Sequence, residues 1–135
     1  MPIDPLTTFR TLILAQEAVV ALVGQRVYRQ DMPDQDWQTA QDIQPSMRMS
    51  LGPSQRLADS PVVNAQIDLV IYGATAGAAV AVAQALATAI HGRRGIEAGG
   101  VYVGGIRQTA GPEPGREEDT DWPVATASYQ ATFIE

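Results

Sequence analysis

The sequence predicts one α+β domain: two helices packed on one face of a mainly antiparallel four-stranded sheet, with long polar loops. Three observations carry this. Val63, Ala65, Ile67, Leu69 and Ile71 share one face of an alternating segment, and Ala125, Ala127, Tyr129, Ala131 and Phe133 share one face of another. Val82, Leu86 and Ile90 stand one turn apart on an alanine-rich segment and need a sheet to cover. The 135 residues make up one ordinary domain, 1–135, and its folding buries roughly two-thirds of the extended-chain surface.

Residues 4 to 23 read as one helix. Asp4 is placed to cap it and Pro5 sits where the first turn tolerates proline. Phe9, Leu12, Ile13, Val19, Val20 and Val23 form a wide apolar face, and Gly24 ends it. Residues 27 to 45 carry four aspartates and read as a surface loop with at most a short strand at Val27 and Tyr28. "SMRMSLG" is a short half-buried strand, and "GPSQRLADSP" is turn material.

In the next strand Asn64, Gln66 and Asp68 line the second face, which turns apolar at Val70 and Tyr72. The second helix covers residues 75 to 91 with Thr75 as its cap. "GGVYVGGIRQT" is a strand interrupted by glycines, "GPEPGREEDTDWP" is expected to be irregular, and "VATASYQATFIE" is the last strand. The order is helix, strand, strand, helix, strand, strand, without an internal repeat.

Composition narrows the function. Without cysteine there is no disulfide or thiolate metal site. The net charge is −6 and all nine basic residues are arginines. An acidic chain with no basic cluster in its sequence is poorly suited to gripping a nucleic-acid backbone. No apolar run reaches the ~18 residues of a membrane span, and "MPIDPLTTFRTL" lacks the pattern of a secretory signal.

Strand, glycine turn and helix at residues 62 to 92 follow the order of a phosphate-binding loop. Gly73 and Gly77 are separated by three residues, however, with no third glycine and no lysine. Both the dinucleotide and the P-loop patterns need more. The stretch reads as a joint, with Gly73 leaving the strand and Gly77 letting the first helical turn pack closely. His91, the single histidine, is expected to meet the carbonyls at the helix end. The acidic run "EPGREEDTD" lacks the ligand spacing of a calcium loop and reads as solvated. No catalytic, cofactor-binding or metal-binding residue is nominated.

"ALVGQRVY" after the first helix, the central segment 62 to 92 and the closing "ATASYQATFIE" together resemble the tail terminator, or head–tail joining, proteins of long-tailed bacteriophages. The resemblance covers nearly the whole chain and rests on the order of elements. It implies a virion protein of the neck and tail, assembled in the host cytoplasm. That protein forms a ring, usually of six subunits, which caps the tail tube and joins it to the capsid neck. The implied partners are further copies of the chain, the tail tube protein and a neck or head-completion protein. DNA only passes through the lumen, and no membrane or cofactor is involved.

The expected interface residues are Trp37 and Trp122, aromatic anchors set in polar loops, with Arg116, Glu117, Glu118 and Asp119 beside the second. Val70 and Tyr72 are the apolar outer positions that would serve instead of the loops. The alternatives are a head-completion or stopper protein, a small domain holding a ligand or peptide against its sheet, and, ranked last, an enzyme using Asp68 or the acidic loop.

Overall fold

A computed structural model describes residues 4–30, 37–56, 61–118 and 120–134. The chain forms α1 (Pro5–Leu14), α2 (Glu17–Val23), β1 (Val27–Arg29), a 3-10 turn (Ala40–Asp42), β2 (Ser46–Arg56), β3 (Val62–Tyr72), α3 (Ala76–Ile90), β4 (Ile96–Ala98), β5 (Val101–Arg116) and β6 (Pro123–Ile134). The strands build one curled sheet in the order β1-β2-β3-β6-β5-β4. β1 runs parallel to β2 and every other pairing is antiparallel.

This corrects the expected fold. Among the described residues the sheet is mixed and six-stranded rather than antiparallel and four-stranded, and there are three helices rather than two. Of the two further strands, each of three residues, β1 is the short strand the sequence allows at Val27 and Tyr28, and β4 is too short for alternation to register. The extra helix comes from a break. In one straight helix Gln16 would fall in the middle of the stripe made by Phe9, Leu12, Val19, Val20 and Val23. The chain instead leaves the helical conformation at Gln16 (φ −95°, ψ 106°), and α1 and α2 meet at 94°. The Gln16 amide then donates to the Leu12 carbonyl at 3.1 Å, so its polar end is satisfied outside the core.

Asp4 caps α1 as expected, its carboxylate accepting from the Leu6 and Thr7 N–H groups. Thr75 caps α3 by accepting from Ala78 N–H at 3.0 Å. At the joint the close approach lies at Gly73: a Cβ there would stand 2.8 Å from the Ala79 nitrogen. Gly77 has only ordinary contact around it, so the packing role assigned to it belongs to Gly73.

The three helices cover one face of the sheet. Phe9, Leu12 and Ile13 of α1, Val19 and Val23 of α2, and Val82, Leu86 and Ile90 of α3 form one buried cluster with Met47, Met49, Ile67, Leu69, Ile71, Tyr129 and Phe133. Both predicted alternations are seen in the burial of β3 and β6. Among the described residues no single helix is long and apolar enough to cross a membrane.

The segment expected to be irregular from Gly111 is regular as far as Arg116. β5 tolerates Pro112 and Pro114 because β4 pairs only with Val101–Val103, which leaves the rest of β5 at the sheet edge. Register shifts against β6 follow Val103, Gln108 and Ala110. At the last of these Gly111 has φ 82°, and a Cβ on it would lie 2.3 Å from the Thr126 carbonyl oxygen, so only glycine fits. β2 likewise continues through Gly52 and Pro53, residues expected to be a turn.

Candidate functional site

The face of the sheet away from the helices has two parts. Along its length runs a polar ladder. Ser128 and Gln66 both donate to the Asp68 carboxylate, at 2.7 and 2.9 Å, and Thr132 donates to the Asn64 side chain at 2.8 Å. Asp68, the residue nominated for a possible enzyme, is thus held by neighbours on its own sheet.

At the end of this ladder the face turns apolar. Tyr72 pairs with Ser46 on one side and with Val124 on the other. Tyr72, Val124 and Ile43 are buried, with Trp37, Val70 and Trp122 half-buried against them. The two indoles meet edge-on at 4.9 Å, and each ring lies about 6 Å from Tyr72 (6.0 Å for Trp37, 6.1 Å for Trp122). Pairs of this geometry add about 0.5–1.5 kcal/mol each beyond their buried area. The turn that delivers Trp37 and Ile43 is fixed by Asp42, whose carboxylate accepts from the Thr39 and Gln38 N–H groups at 2.9 and 3.1 Å. Those N–H bonds hold the Asp42 carboxyl below its usual pKa, Thr39 contributing most.

A polar chain closes over the cluster. The Tyr72 hydroxyl donates to Glu117 Oε2 and accepts from Arg48 Nε at 3.4 Å. Burial first, and then the Glu117 hydrogen bond, raise the Tyr72 pKa, while Arg48 opposes the rise. Glu117 also takes a hydrogen bond from Thr120 at 3.0 Å, and the Glu117 N–H donates to the Trp122 carbonyl at 2.9 Å. The tip of the β5–β6 hairpin is therefore tied down to the sheet.

The structure thus brings together Trp37, Val70, Tyr72, Trp122 and Glu117, which were separate candidates from two loops and a strand. Loop tryptophans and outer strand positions, set as alternatives from the sequence, belong to one patch. The tryptophans use much of their surface on each other. Arg116 turns to Asp121 of its own hairpin, donating to its carbonyl at 2.9 Å and standing 3.7 Å from its carboxylate. Both side chains are mostly exposed, 62% and 81%, so the pair adds ~0–1 kcal/mol. Glu118 is exposed at the tip. Asp119 lies outside the described residues.

One feature escaped sequence reasoning. The end of α3 and the middle of β5 enclose a groove of about 370 Å³ lined by His91, Arg94, Gly105, Arg107, Gln130 and Thr132. His91 does not meet the helix-end carbonyls. Its Nδ1 accepts the Gln108 N–H at 2.9 Å, across the edge of β5. Gly92 and Ile106 complete this edge contact, Gly92 N–H donating to the Ile106 carbonyl at 2.9 Å and Ile106 N–H to the Arg93 carbonyl at 3.1 Å. A basic cluster absent from the linear sequence is assembled by the fold. Among the described residues no group of three or more His, Asp or Glu side chains is placed to hold a metal ion.

The molecule is therefore an α+β chain with one mixed, curled sheet, helices on one face, and on the other a polar ladder ending in an aromatic patch. No protein-family model matches it, and no curated protein matches it. Among solved structures it is similar in fold to a chain of the virion of a native gene transfer agent (GTA) particle. The two superpose with a TM-score of 0.61 at 19% sequence identity, over 90% of this chain and 87% of the other.

Proposed function

We propose that this chain is a virion structural protein that caps a phage-like tail tube and joins it to the capsid neck as a homo-oligomeric ring of six subunits. The observation that carries the virion reading is the fold match over nearly the full length of both chains to a component of a gene transfer agent virion. The position at the tail terminus rests on the order of elements that resembles tail terminator proteins. In this reading the chain is not an enzyme and needs no cofactor. Its partners are its own copies, the tail tube protein and a neck protein, with DNA passing through the lumen. The patch around Trp37, Tyr72 and Trp122 is its contact surface toward one of these partners: half-buried aromatic rings rimmed by Arg48 and Glu117 have the composition of an interface centre.

The test is assembly. Light scattering of the purified chain, alone and with tail tube protein, should give a mass about six times 14.4 kDa, or a complex in which the ring ends the tube. A chain that binds a neck protein and never the tube would mark a stopper instead. A strict monomer that binds neither would end the virion reading.

A further inference from the structure

We propose that the basic groove beside β5 receives the acidic hairpin tip of a second copy of this chain. Arg94 and Arg107 of one subunit then face Glu118 of the next. This rests on the ring reading above and deepens it by naming the contact.

The groove is built of donors. Arg94 and Arg107 are exposed, and among the described residues neither side chain has a hydrogen bond or an ion pair. Because His91 Nδ1 accepts the Gln108 N–H, the neutral imidazole carries its proton on Nε2, a further donor. Gln130 adds an amide, and among the described residues no acidic side chain lines the groove. Charges of one sign gathered without a partner in a concave site call for an anion.

The same ribbon carries the matching anion at its other end. Residues 113 to 121 hold five acidic side chains and one arginine. Arg116 is engaged by Asp121 of its own loop, while Glu118 is exposed and has no partner among the described residues. Arg107 lies in β5 and Glu118 two residues past its end, eleven residues apart and about 36 Å at strand spacing, so a tip cannot reach its own groove. The complement must come from another copy. Because the two patches differ, the contact is head to tail, the kind that closes into a ring when its rotation allows. A nucleic-acid phosphate line is the poorer occupant, since the chain as a whole carries −6 and repels an extended anion.

The experiment has a charge arm and a cross-linking arm, both read on the full chain. In sedimentation velocity, Arg94→Glu with Arg107→Glu should weaken self-association about tenfold, as should Glu118→Arg, and raised salt should weaken the parent similarly. All three changes in one chain should restore association, which a folding defect would not do. The chain has no cysteine, so Arg107→Cys with Glu118→Cys supplies a clean reporter: mild oxidation should give a ladder of disulfide-linked copies. A reversed-charge variant that assembles like the parent, with no ladder from the cysteine pair, overturns the inference and leaves the ring intact. A parent that stays monomeric at every concentration removes the ring reading itself, and this contact with it. Double-stranded DNA that binds the parent and not the Arg94→Glu, Arg107→Glu variant would overturn the proposal in favour of phosphate.

Discussion

Tyr129 shows what a single buried hydroxyl does here. Its ring fills the centre of the core 5.8 Å from Phe9, yet its oxygen is buried without a hydrogen-bond partner among the described residues. Burial pushes its pKa up from 10.0 to about 12. The unfolded chain therefore releases this proton first as pH rises. The contribution is fully present below about pH 10 and is lost progressively toward pH 12. Thermal melts at about pH 8 and about pH 11 should show a steeper loss for the parent than for Tyr129→Phe, and at the lower pH the variant should be at least as stable. Equal losses would mean the hydroxyl is solvated. At the surface, Asp4 has the opposite sign. Its pKa is lowered, chiefly by the Thr7 hydroxyl, so its support is present above 3.8 and fades as pH falls. Asp4→Ala should cost about 1 kcal/mol in urea unfolding at neutral pH through loss of the α1 cap.

At the scale of elements, α3 is where sequence and structure agree most closely. Leu86 is fully buried between this helix and the sheet, and Leu86→Ala should destabilise by about 2–5 kcal/mol in a urea melt. An unchanged midpoint would put the helix off the core. Both long alternating strands and both caps were legible too, because each is written in a local period or a local pairing of residue types. What was not legible depended on neighbours far along the chain. Glycine and proline from 111 onward stop a strand unless it lies at an edge, and only the sheet pairing shows that this part of β5 does. The break at Gln16 is written in the sequence only as one polar residue inside an apolar stripe. Arg94 and Arg107, thirteen positions apart, become a pair only when α3 returns to β5. The candidate interface residues were legible singly, as tryptophans in polar loops, while their union around Tyr72 was not. Trp122→Ala should remove two ring pairs and loosen the hairpin tip by about 1–3 kcal/mol. Faster hydrogen exchange at the Glu117 amide, with core amides unchanged, is the expected signature.

The described residues form one large core under the helices and one small aromatic cluster on the far face. Both tryptophans of the chain belong to the small one. Indole fluorescence therefore reports that cluster alone, while far-ultraviolet dichroism reports the sheet and helices. Urea unfolding should give a fluorescence transition that precedes the dichroism transition, and superimposable curves would show that the two clusters open as one. The bulged rim of β5 has a consequence for how such molecules crowd together. Pro112 and Pro114 lack N–H groups, and register shifts kink the strand around them. That stretch of rim is a poor template for a foreign strand, which works against edge-to-edge cross-β pairing of copies along β5. In the proposed ring, contact between molecules is then left to side chains, which can dissociate and try again, and such an assembly corrects its errors before it locks. Pro114→Thr should weaken the rim's protection against such pairing, and a faster rise of thioflavin fluorescence in concentrated solution is its measure.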